Sequence, residues 1–308
     1  MNHPEFNHPQ LAILFQAALV CGSGANARAT VSQLTEQALF SPEKRTCIDG
    51  GTPLLLVVRS PGDRVFDVCV RHTDTLAGAQ TWRRTRLDGF TRETWHTRLF
   101  PAAGRAATAE AHDMTWDCRV HEEFERLHAS LGLNASPFLV ARQHAHAADR
   151  VWIGWQLERH FHPSRALASC GRGDAWQRMA PVLESLLGRP APLHSSGWCV
   201  LAGLGEGHTR IRVGTTQWSR VPESRNKIAN LRRTVSSIGG DACFAEALYR
   251  LLLPDGGHEG HFIRPVGCAV EIETFRDGSI TTDFFLRIPC RAHASKLPTC
   301  AARSGAAA

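Results

Sequence analysis

Charged side chains recur at every second position in several stretches of the sequence that alternate between polar and apolar residues. Arg210 and Arg212 stand two residues apart, as do Glu271 and Glu273. In a β-strand, residues two apart point to the same face of the sheet. A guanidinium group binds a phosphate or a carboxylate through two parallel hydrogen bonds. The spacing therefore predicts either an anion-binding surface or a network of ion pairs between these arginines and glutamates.

These charged residues lie in predicted β-hairpins that have one apolar face and one polar face. The last hairpin, Val270–Pro289, has two alternating runs joined at Asp277-Gly278. Asp-Gly between two alternating runs is a strong hairpin signal. Further hairpins are predicted at Leu54–His72, Phe138–Phe161 and Trp198–Gln217, with a more polar one at Trp82–Leu99.

Amphipathic helices are predicted between the hairpins. The segment Arg119–Leu131 carries one apolar stripe, and Gly132 follows it where a helix is expected to end. Other helices are predicted at Thr30–Phe40, after the N-cap residue Asp174, from Pro222 onward, and after the N-cap residue Asp241. Pro181 is expected to kink or divide the helix that follows Asp174. The chain thus repeats one unit of helix and hairpin.

Repetition of this unit predicts an α+β fold with a closed sheet. Eight to ten antiparallel strands avoid exposed edges most readily when the sheet closes on itself. If the helices cover the outside, the apolar strand faces turn toward them and the polar faces line the lumen. We therefore predict an antiparallel β-barrel of eight to ten strands with a polar lumen, surrounded by helices. We expect a single domain over residues 1–290 and a disordered tail over residues 291–308.

Composition excludes several other classes of protein. The 308 residues are 43% hydrophobic and 21% charged with a net charge of +6, which is ordinary for a globular protein. No basic run predicts a nucleic-acid partner, and no apolar run is long enough to cross a membrane. Ten cysteines without a CxxC or Cys/His cluster argue against zinc and favour the reducing cytoplasm. Leu11–Cys21 is interpreted as a packing helix rather than a secretion signal, because no Lys or Arg precedes it.

The pattern of αββα repeats around a polar lumen resembles the ABBA prenyltransferases, whose architecture is also called the PT barrel. Residues 54–72, LLLVVRSPGDRVFDVCVRH, are similar to the first hairpin of the bacterial aromatic members, and Leu99–Gly104 looks like a segment that follows it. The two C-terminal hairpins are similar in layout to the cyanobactin-type peptide prenyltransferases. The resemblance implies a cytoplasmic, monomeric enzyme that moves a dimethylallyl or geranyl group from its diphosphate to an aromatic small molecule or a side chain of a ribosomally made peptide.

The resemblance also assigns roles to residues on the polar faces. Diphosphate-binding residues would be arginines in place of the lysines common in the family: Arg59, Arg71, Arg210, Arg212 and Arg287. Aromatic residues would shield the allylic cation: Trp152, Trp198, Phe275 and Phe285. Candidates for the general base are Glu158, Glu271 and His160. Asp67 falls where some members bind Mg²⁺. The chain departs from the family in having a single tyrosine, Tyr249, on a predicted helix.

Two other functions remain open from the sequence. A non-catalytic barrel that binds a lipid or isoprenoid-like ligand would need an apolar cavity, and the many charges of the predicted lumen speak against one. An RNA-binding protein would use the basic helix at Arg225–Arg233, but no aromatic residues are interleaved there. The arginines can also pair with Glu271, Glu273 and Asp283 without binding any phosphate.

Overall fold

The computed structural model describes residues 9–20, 54–62, 66–73, 79–86, 91–99, 118–145, 150–191, 197–204, 209–253 and 266–288. The predicted helix at Thr30–Phe40 and the predicted tail at residues 291–308 lie outside these ranges. The predicted domain boundary therefore stays a prediction.

Ten antiparallel strands make up the sheet in the described residues. They are β1 (Leu54–Ser60), β2 (Phe66–Thr73), β3 (Ala79–Arg86), β4 (Thr91–Leu99), β5 (Ala135–Ala145), β6 (Arg150–Leu157), β7 (Trp198–Leu204), β8 (Arg210–Thr215), β9 (Gly267–Thr274) and β10 (Ile280–Arg287). Each strand pairs with the next along the chain, and β1 pairs with both β2 and β10, so the strand order is closed. The predicted α+β class is confirmed, and the more polar hairpin is present as β3 and β4.

Helices connect and cover these hairpins. They are α1 (Pro9–Val20), α2 (Cys118–Leu131), α3 (Pro163–Ser169), α4 (Gly173–Leu187), α5 (Arg225–Ser237) and α6 (Ala242–Leu252), with short 3₁₀ helices at Gly132–Asn134 and Gln217–Arg220. The Asp241 side chain accepts a hydrogen bond from the Phe244 N–H and so caps α6. The helix α4 includes Pro181 without being divided and ends at Gly188, which has a positive φ of 67°. No described helix is long and apolar enough to span a bilayer.

The main hydrophobic core lies between the helices and one face of the sheet. Alternate strand residues such as Val200 on β7 and Phe284 on β10 belong to it, together with Met179 and Leu183 of α4. Each buried side chain of this size contributes about 1.5–3 kcal/mol through the hydrophobic effect. The residues between these positions point to the other face, which we call the inner face because it is turned away from the helices.

The predicted strand over Arg150–Phe161 is too long at its C-terminal end. Strand β6 ends at Leu157, and the following residues turn. The Glu158 N–H donates to the Asn134 carbonyl at 2.9 Å, and the Phe161 N–H donates to the Glu158 carbonyl at 2.9 Å. The first bond continues the register of β5 and β6 by one position, whereas the second closes a turn, so the chain leaves the sheet after Glu158.

A buried ion pair joins the helices to the start of β9. Lys227 of α5 is fully buried and donates from Nζ to Glu223 Oε1 at 2.9 Å. Glu223 also accepts hydrogen bonds from the Val266 N–H at 2.8 Å and from the Tyr249 hydroxyl of α6. Burial lowers the pKa of Lys227, and the nearby Glu223 carboxylate opposes this change. Glu223 thus connects α5, α6 and the first residues leading into β9.

Candidate active site

A cluster of charged side chains occupies the inner face of β1, β8, β9 and β10. Arg59 donates from Nε and Nη2 to the two carboxylate oxygens of Asp283, both at 2.8 Å. Arg212 donates from Nε to Glu273 at 3.0 Å and from Nη1 to Glu271 at 3.4 Å. The second carboxylate oxygen of Glu273 accepts a hydrogen bond from Arg210 Nε. We call the following six residues the inner charge cluster: Arg59, Arg210, Arg212, Glu271, Glu273 and Asp283.

The register of the antiparallel ladders brings these six residues together. Arg59 lies opposite Asp283, and Asp283 lies opposite Glu271. On the next ladder, Glu273 lies opposite Arg212. Residues directly opposite each other in an antiparallel pair point to the same face and approach closely. Strand pairing therefore places acids and bases from four strands side by side.

The members of the inner charge cluster differ in exposure. The side chains of Arg59 and Arg210 are 27% and 25% exposed, and that of Glu271 is 24% exposed. The side chains of Arg212 and Glu273 are only 5% and 4% exposed. The first three can therefore meet a ligand directly, whereas the last two are enclosed by protein.

Aromatic rings lie against both arginines of β8. The Arg212 Cζ atom is 4.2 Å from the ring centroid of Trp152 on β6. The Arg210 Cζ atom is 5.2 Å from the ring centroid of Phe275, which directly follows β9. Such cation–π contacts are worth about 0.5–2 kcal/mol. Trp152 and Phe275 therefore lie at the cluster, and the cations they contact here are guanidinium groups. Their predicted role in shielding an allylic cation stays a prediction.

Arg150, at the start of β6, adds a further positive charge beside the inner charge cluster. Burial lowers the pKa of Arg150, the charges of Arg210 and Arg212 lower it further, and the carboxylate of Glu273 opposes them. Among the described residues, Arg150 and the three arginines of the inner charge cluster face the three carboxylates of that cluster. This part of the inner face is therefore net positive.

A cavity of about 390 Å³ opens beside Phe275. The described residues that line it are Arg172, Asp174, Thr209, Phe275 and Arg276. The Arg172 side chain donates to the carbonyl of Thr274 at 3.2 Å, which fixes it at the end of β9. Cavities of this volume hold small molecules. Charges of both signs and an aromatic ring thus meet next to Arg210.

Comparison with solved structures identifies the architecture. The chain superposes on 5-dimethylallyl tryptophan synthase from Streptomyces coelicolor in complex with DMASPP and Trp, with a TM-score of 0.64 and 13% identity over 95% of this chain and 98% of that one. The PriB binary complex with product diphosphate superposes with a TM-score of 0.69 and 12% identity, over 92% of this chain and 96% of that one. AnaPT from Neosartorya fischeri superposes with a TM-score of 0.68 and 8% identity, over 94% of this chain and 93% of that one. The chain has the ABBA prenyltransferase fold.

The resemblance inferred from the sequence is therefore confirmed at the level of the fold. No protein-family model and no curated protein matches the sequence. At identities this low, structural likeness establishes the architecture alone.

Two predicted residues of β10 share the inner face with Asp283. Phe285 packs against Leu55 and Val57 of β1, and Arg287 lies two positions further along the same face. The side chains of Arg71 and Asp67, both on β2, lie outside the part of the chain that the structure describes. Their predicted roles stay predictions.

Trp198 is not on the inner face, which corrects its predicted place in the prenyl pocket. It belongs to the main hydrophobic core, and its ring centroid lies 6.3 Å from that of Trp176 on α4. It alternates with Cys199 and shares the outward face of β7 with Val200. Its indole therefore packs against the helices.

Glu158 and His160 are exposed and lie beyond the end of β6, so the predicted inner-face position of both is corrected. The His160 Nε2 atom is 3.2 Å from the side-chain oxygen of Asn134. Both residues lie at least six positions past Trp152, at the opposite end of β6 from Arg150. The structure does not bring them to the inner charge cluster, so Glu271 is the predicted base that lies within it.

Gly203 of β7 is a residue of the site that the sequence analysis missed. It lies opposite Trp152 in the ladder of β6 and β7. A Cβ atom on Gly203 would lie 2.8–2.9 Å from three atoms of the six-membered ring of Trp152. Near-equal distances to three neighbouring ring atoms place that position over the face of the ring. The indole therefore lies flat on the backbone of Gly203, and an isolated glycine inside a strand is the sequence signal for such close approach.

The predicted magnesium site stays a prediction. Among them, no group of three or more His, Cys, Asp or Glu side chains could hold a metal ion. The carboxylates of Glu271, Glu273 and Asp283 each accept hydrogen bonds from arginines instead. The predicted ligand Asp67 is not among the described side chains, so no chemical step is assigned to magnesium here.

Proposed function

We propose that the protein is a prenyltransferase that moves an allylic prenyl group from its diphosphate to an aromatic acceptor. The observation that carries the proposal is a net positive, partly exposed group of arginines on the inner face of a fold shared with enzymes solved with DMASPP and with product diphosphate. A diphosphate ester carries several negative charges, which such a surface can bind. The lipid-binding alternative would need an apolar interior at this place.

Arg210 and Arg59 are the proposed diphosphate ligands among the described residues. Their side chains are 25% and 27% exposed, and each points to the inner face. Arg287 shares this face of β10 but lies four residues, about 13 Å, beyond Asp283, so its predicted role in diphosphate binding stays a prediction. Charge-assisted hydrogen bonds of this kind contribute about 1.5–3 kcal/mol each. Together they would hold the diphosphate and favour its departure.

Bond cleavage separates charge in a way that this site can stabilise. The bond between the allylic carbon and the diphosphate oxygen breaks, and the electron pair leaves with the diphosphate, whose new charge the arginines stabilise. The allylic cation left behind needs electron-rich faces and the exclusion of water. Phe275, which lies against Arg210, can supply such a face. Phe285 lies about 20 Å further along the ladder, so its predicted role stays a prediction. Trp152 packs instead between Gly203 and Arg212.

Glu271 is the proposed general base. After an electron pair of the acceptor attacks the cation and forms a carbon–carbon or carbon–heteroatom bond, a proton leaves the acceptor. Glu271 is partly exposed on the inner face and belongs to the cluster that would hold the diphosphate. A positioned base of this kind typically contributes a rate factor of about 10²–10⁴.

The proposed acceptor is a tryptophan-like compound or a peptide that carries such a side chain. The cavity beside Phe275 offers an aromatic ring together with Arg172 and Asp174, which suits an acceptor with an aromatic part and charged groups. A dimethylallyl or geranyl donor, magnesium at Asp67, a single-domain monomer and a cytoplasmic location complete the proposal as predictions.

The test is incubation of the full chain with dimethylallyl or geranyl diphosphate and a panel of tryptophan, cyclic dipeptides and tryptophan-containing peptides, with magnesium or with EDTA. A mass increase of one or two isoprene units on an acceptor would support the proposal, and its loss in EDTA would support magnesium. Absence of any product, together with no heat of binding for inorganic diphosphate, would refute it. Binding of prenyl alcohols without their diphosphates would instead favour the lipid-binding alternative.

A further inference from the structure

Arg210 and Arg212 occupy equivalent positions on β8 but have different surroundings. Both point to the inner face, and both donate to Glu273. The Arg210 side chain is 25% exposed, whereas that of Arg212 is 5% exposed. A diphosphate has to reach the N–H groups of a guanidinium to accept hydrogen bonds from them, so burial of this degree disfavours Arg212 as a ligand.

Arg212 is covered on one side by an aromatic ring and held on the other by two acids. Its Cζ atom lies over the ring of Trp152, 4.2 Å from the ring centroid. Its nitrogens donate to Glu273 and Glu271 at 3.0 and 3.4 Å. A planar guanidinium can stack and donate in its plane at the same time, which an ammonium group cannot do.

The ring that covers Arg212 is itself fixed from behind. Trp152 is fully buried, and its six-membered ring lies over the backbone of Gly203. Because a Cβ at position 203 would come within 2.9 Å of the ring, the indole can occupy this place only against glycine. Gly203, Trp152, Arg212 and the two glutamates therefore form one continuous stack across β6, β7, β8 and β9.

We propose that Arg212 is a positioning residue that fixes the carboxylates of Glu271 and Glu273, and that Trp152 and Gly203 hold it for this task. Arg210, and not Arg212, is then the diphosphate ligand of β8. The inference rests on the proposed function, since it concerns how Glu271 is oriented for proton removal. It divides two arginines that the sequence pattern treats as equivalent.

The first test compares Arg210→Gln with Arg212→Gln, two equal substitutions on the same strand face. Calorimetry with inorganic diphosphate and the full chain measures binding without catalysis. Arg210→Gln should raise the Kd by about tenfold or more, as the loss of one charge-assisted contact requires. Arg212→Gln should change the Kd by less than about threefold. Equal weakening by both variants would overturn the inference.

The second test measures whether Arg212 acts through Glu271. Arg212→Gln should lower kcat by about 10²-fold, comparable to Glu271→Gln, with little change in the KM for the prenyl diphosphate. The double variant should be no slower than Glu271→Gln alone, because the two substitutions remove one function. If the loss of kcat in the double variant equals the product of the two single losses, the two residues have independent roles, and the inference is overturned. Full recovery of kcat by Arg212→Lys would do the same, since a lone charge would then suffice.

The third test addresses Gly203. Gly203→Ala should displace Trp152 and lower kcat while leaving diphosphate affinity within about threefold, and adding Trp152→Leu should restore part of the lost thermal stability. Wild-type kcat in a folded Gly203→Ala variant would show that Trp152 and Gly203 do not hold Arg212 for its task. If Gly203→Ala does not fold, the Arg210 and Arg212 comparison still decides.

Failure of this inference can be told from failure of the proposed function. If the wild-type chain neither binds inorganic diphosphate nor transfers a prenyl group, the proposed function fails. If the wild type does both and Arg212→Gln loses diphosphate affinity as Arg210→Gln does, only the positioning role fails.

Discussion

Replacing Glu223 with alanine should lower the free energy of unfolding by about 3–5 kcal/mol, the range found when one partner of a buried ion pair is removed. The carboxylate accepts hydrogen bonds from Lys227 at 2.9 Å, from the Val266 N–H at 2.8 Å and from the Tyr249 hydroxyl. Lys227 is fully buried, so no water can replace the lost partner without rearrangement.

The magnitude follows from what each donor retains. Lys227 keeps its hydrogen bond to the Val221 carbonyl at 3.1 Å and its contact with the Trp218 ring at 5.5 Å. Val266 and Tyr249 would each be left with a buried donor, at a cost of about 1–3 kcal/mol. The three lost hydrogen bonds share one acceptor, and their donors can rearrange together. The free energy of unfolding should therefore fall by less than the sum of the three separate costs.

Urea denaturation followed by far-UV circular dichroism measures this change. Glu246→Ala is the matched control, because Glu246 pairs with Arg232 and Arg250, whose side chains are 55% and 58% exposed. Exposed pairs of this kind contribute about 0–1 kcal/mol. A loss below about 1 kcal/mol for Glu223→Ala, equal to that of the control, would refute the reasoning.

Three further predictions concern the thiols, the base and a glycine of the sheet. Burial raises the pKa of the Cys199 thiol to about 12 from the ordinary 9.0. Above about pH 9 the unfolded chain releases a proton that the folded chain keeps, so the stability of the fold should fall as the pH rises. Cys199→Ala should therefore regain about 1–2 kcal/mol relative to wild type between pH 8 and pH 10 in urea titrations; an identical trend for the exposed Cys243→Ala would contradict this. Glu271→Gln should lower kcat by about 10²-fold or more in the prenyl-transfer assay while Glu158→Gln stays near wild type, and the reverse result would reassign the base. Gly267→Ala should cost about 1–3 kcal/mol in the same denaturation assay, because its Cβ would lie 2.8–2.9 Å from the ring of a buried tryptophan; no measurable loss would show that the ring moves freely.

Alternation along the strands was enough to predict which charged residues share the inner face. Arg210 and Arg212 on β8 and Glu271 and Glu273 on β9 were assigned correctly, because acids and bases occupied one parity and apolar residues the other. The hairpin turn at Asp277-Gly278 fixed the phase of the last two strands.

Alternation could not fix the face of Trp198, since both parities of WCVLAGL are apolar. The end of β6 depends on a turn that is closed by the hydrogen bond from the Phe161 N–H to the Glu158 carbonyl. The polar parity of Gln156, Glu158 and His160 continues through this turn, so alternation placed Glu158 and His160 on the strand.

The contrast between Arg210 and Arg212 was equally hidden in the sequence. It depends on Trp152, which reaches Arg212 from β6 across Gly203 of β7. Pairing of Arg59 with Asp283 likewise depends on closure of the strand order between β1 and β10. These features come from the order and register of strands rather than from any one strand.

The contact between Trp152 and Gly203 also limits how this sequence can diverge. A side chain at position 203 is tolerated only after the indole at position 152 has been replaced by something smaller, so the order of substitutions matters. Trp218 and Gly267 form a second pair of the same kind on the helix-covered face of the sheet. We expect homologous chains to change the two members of each pair together, and those that lack the indole at position 152 to be the ones that accept a larger residue at position 203.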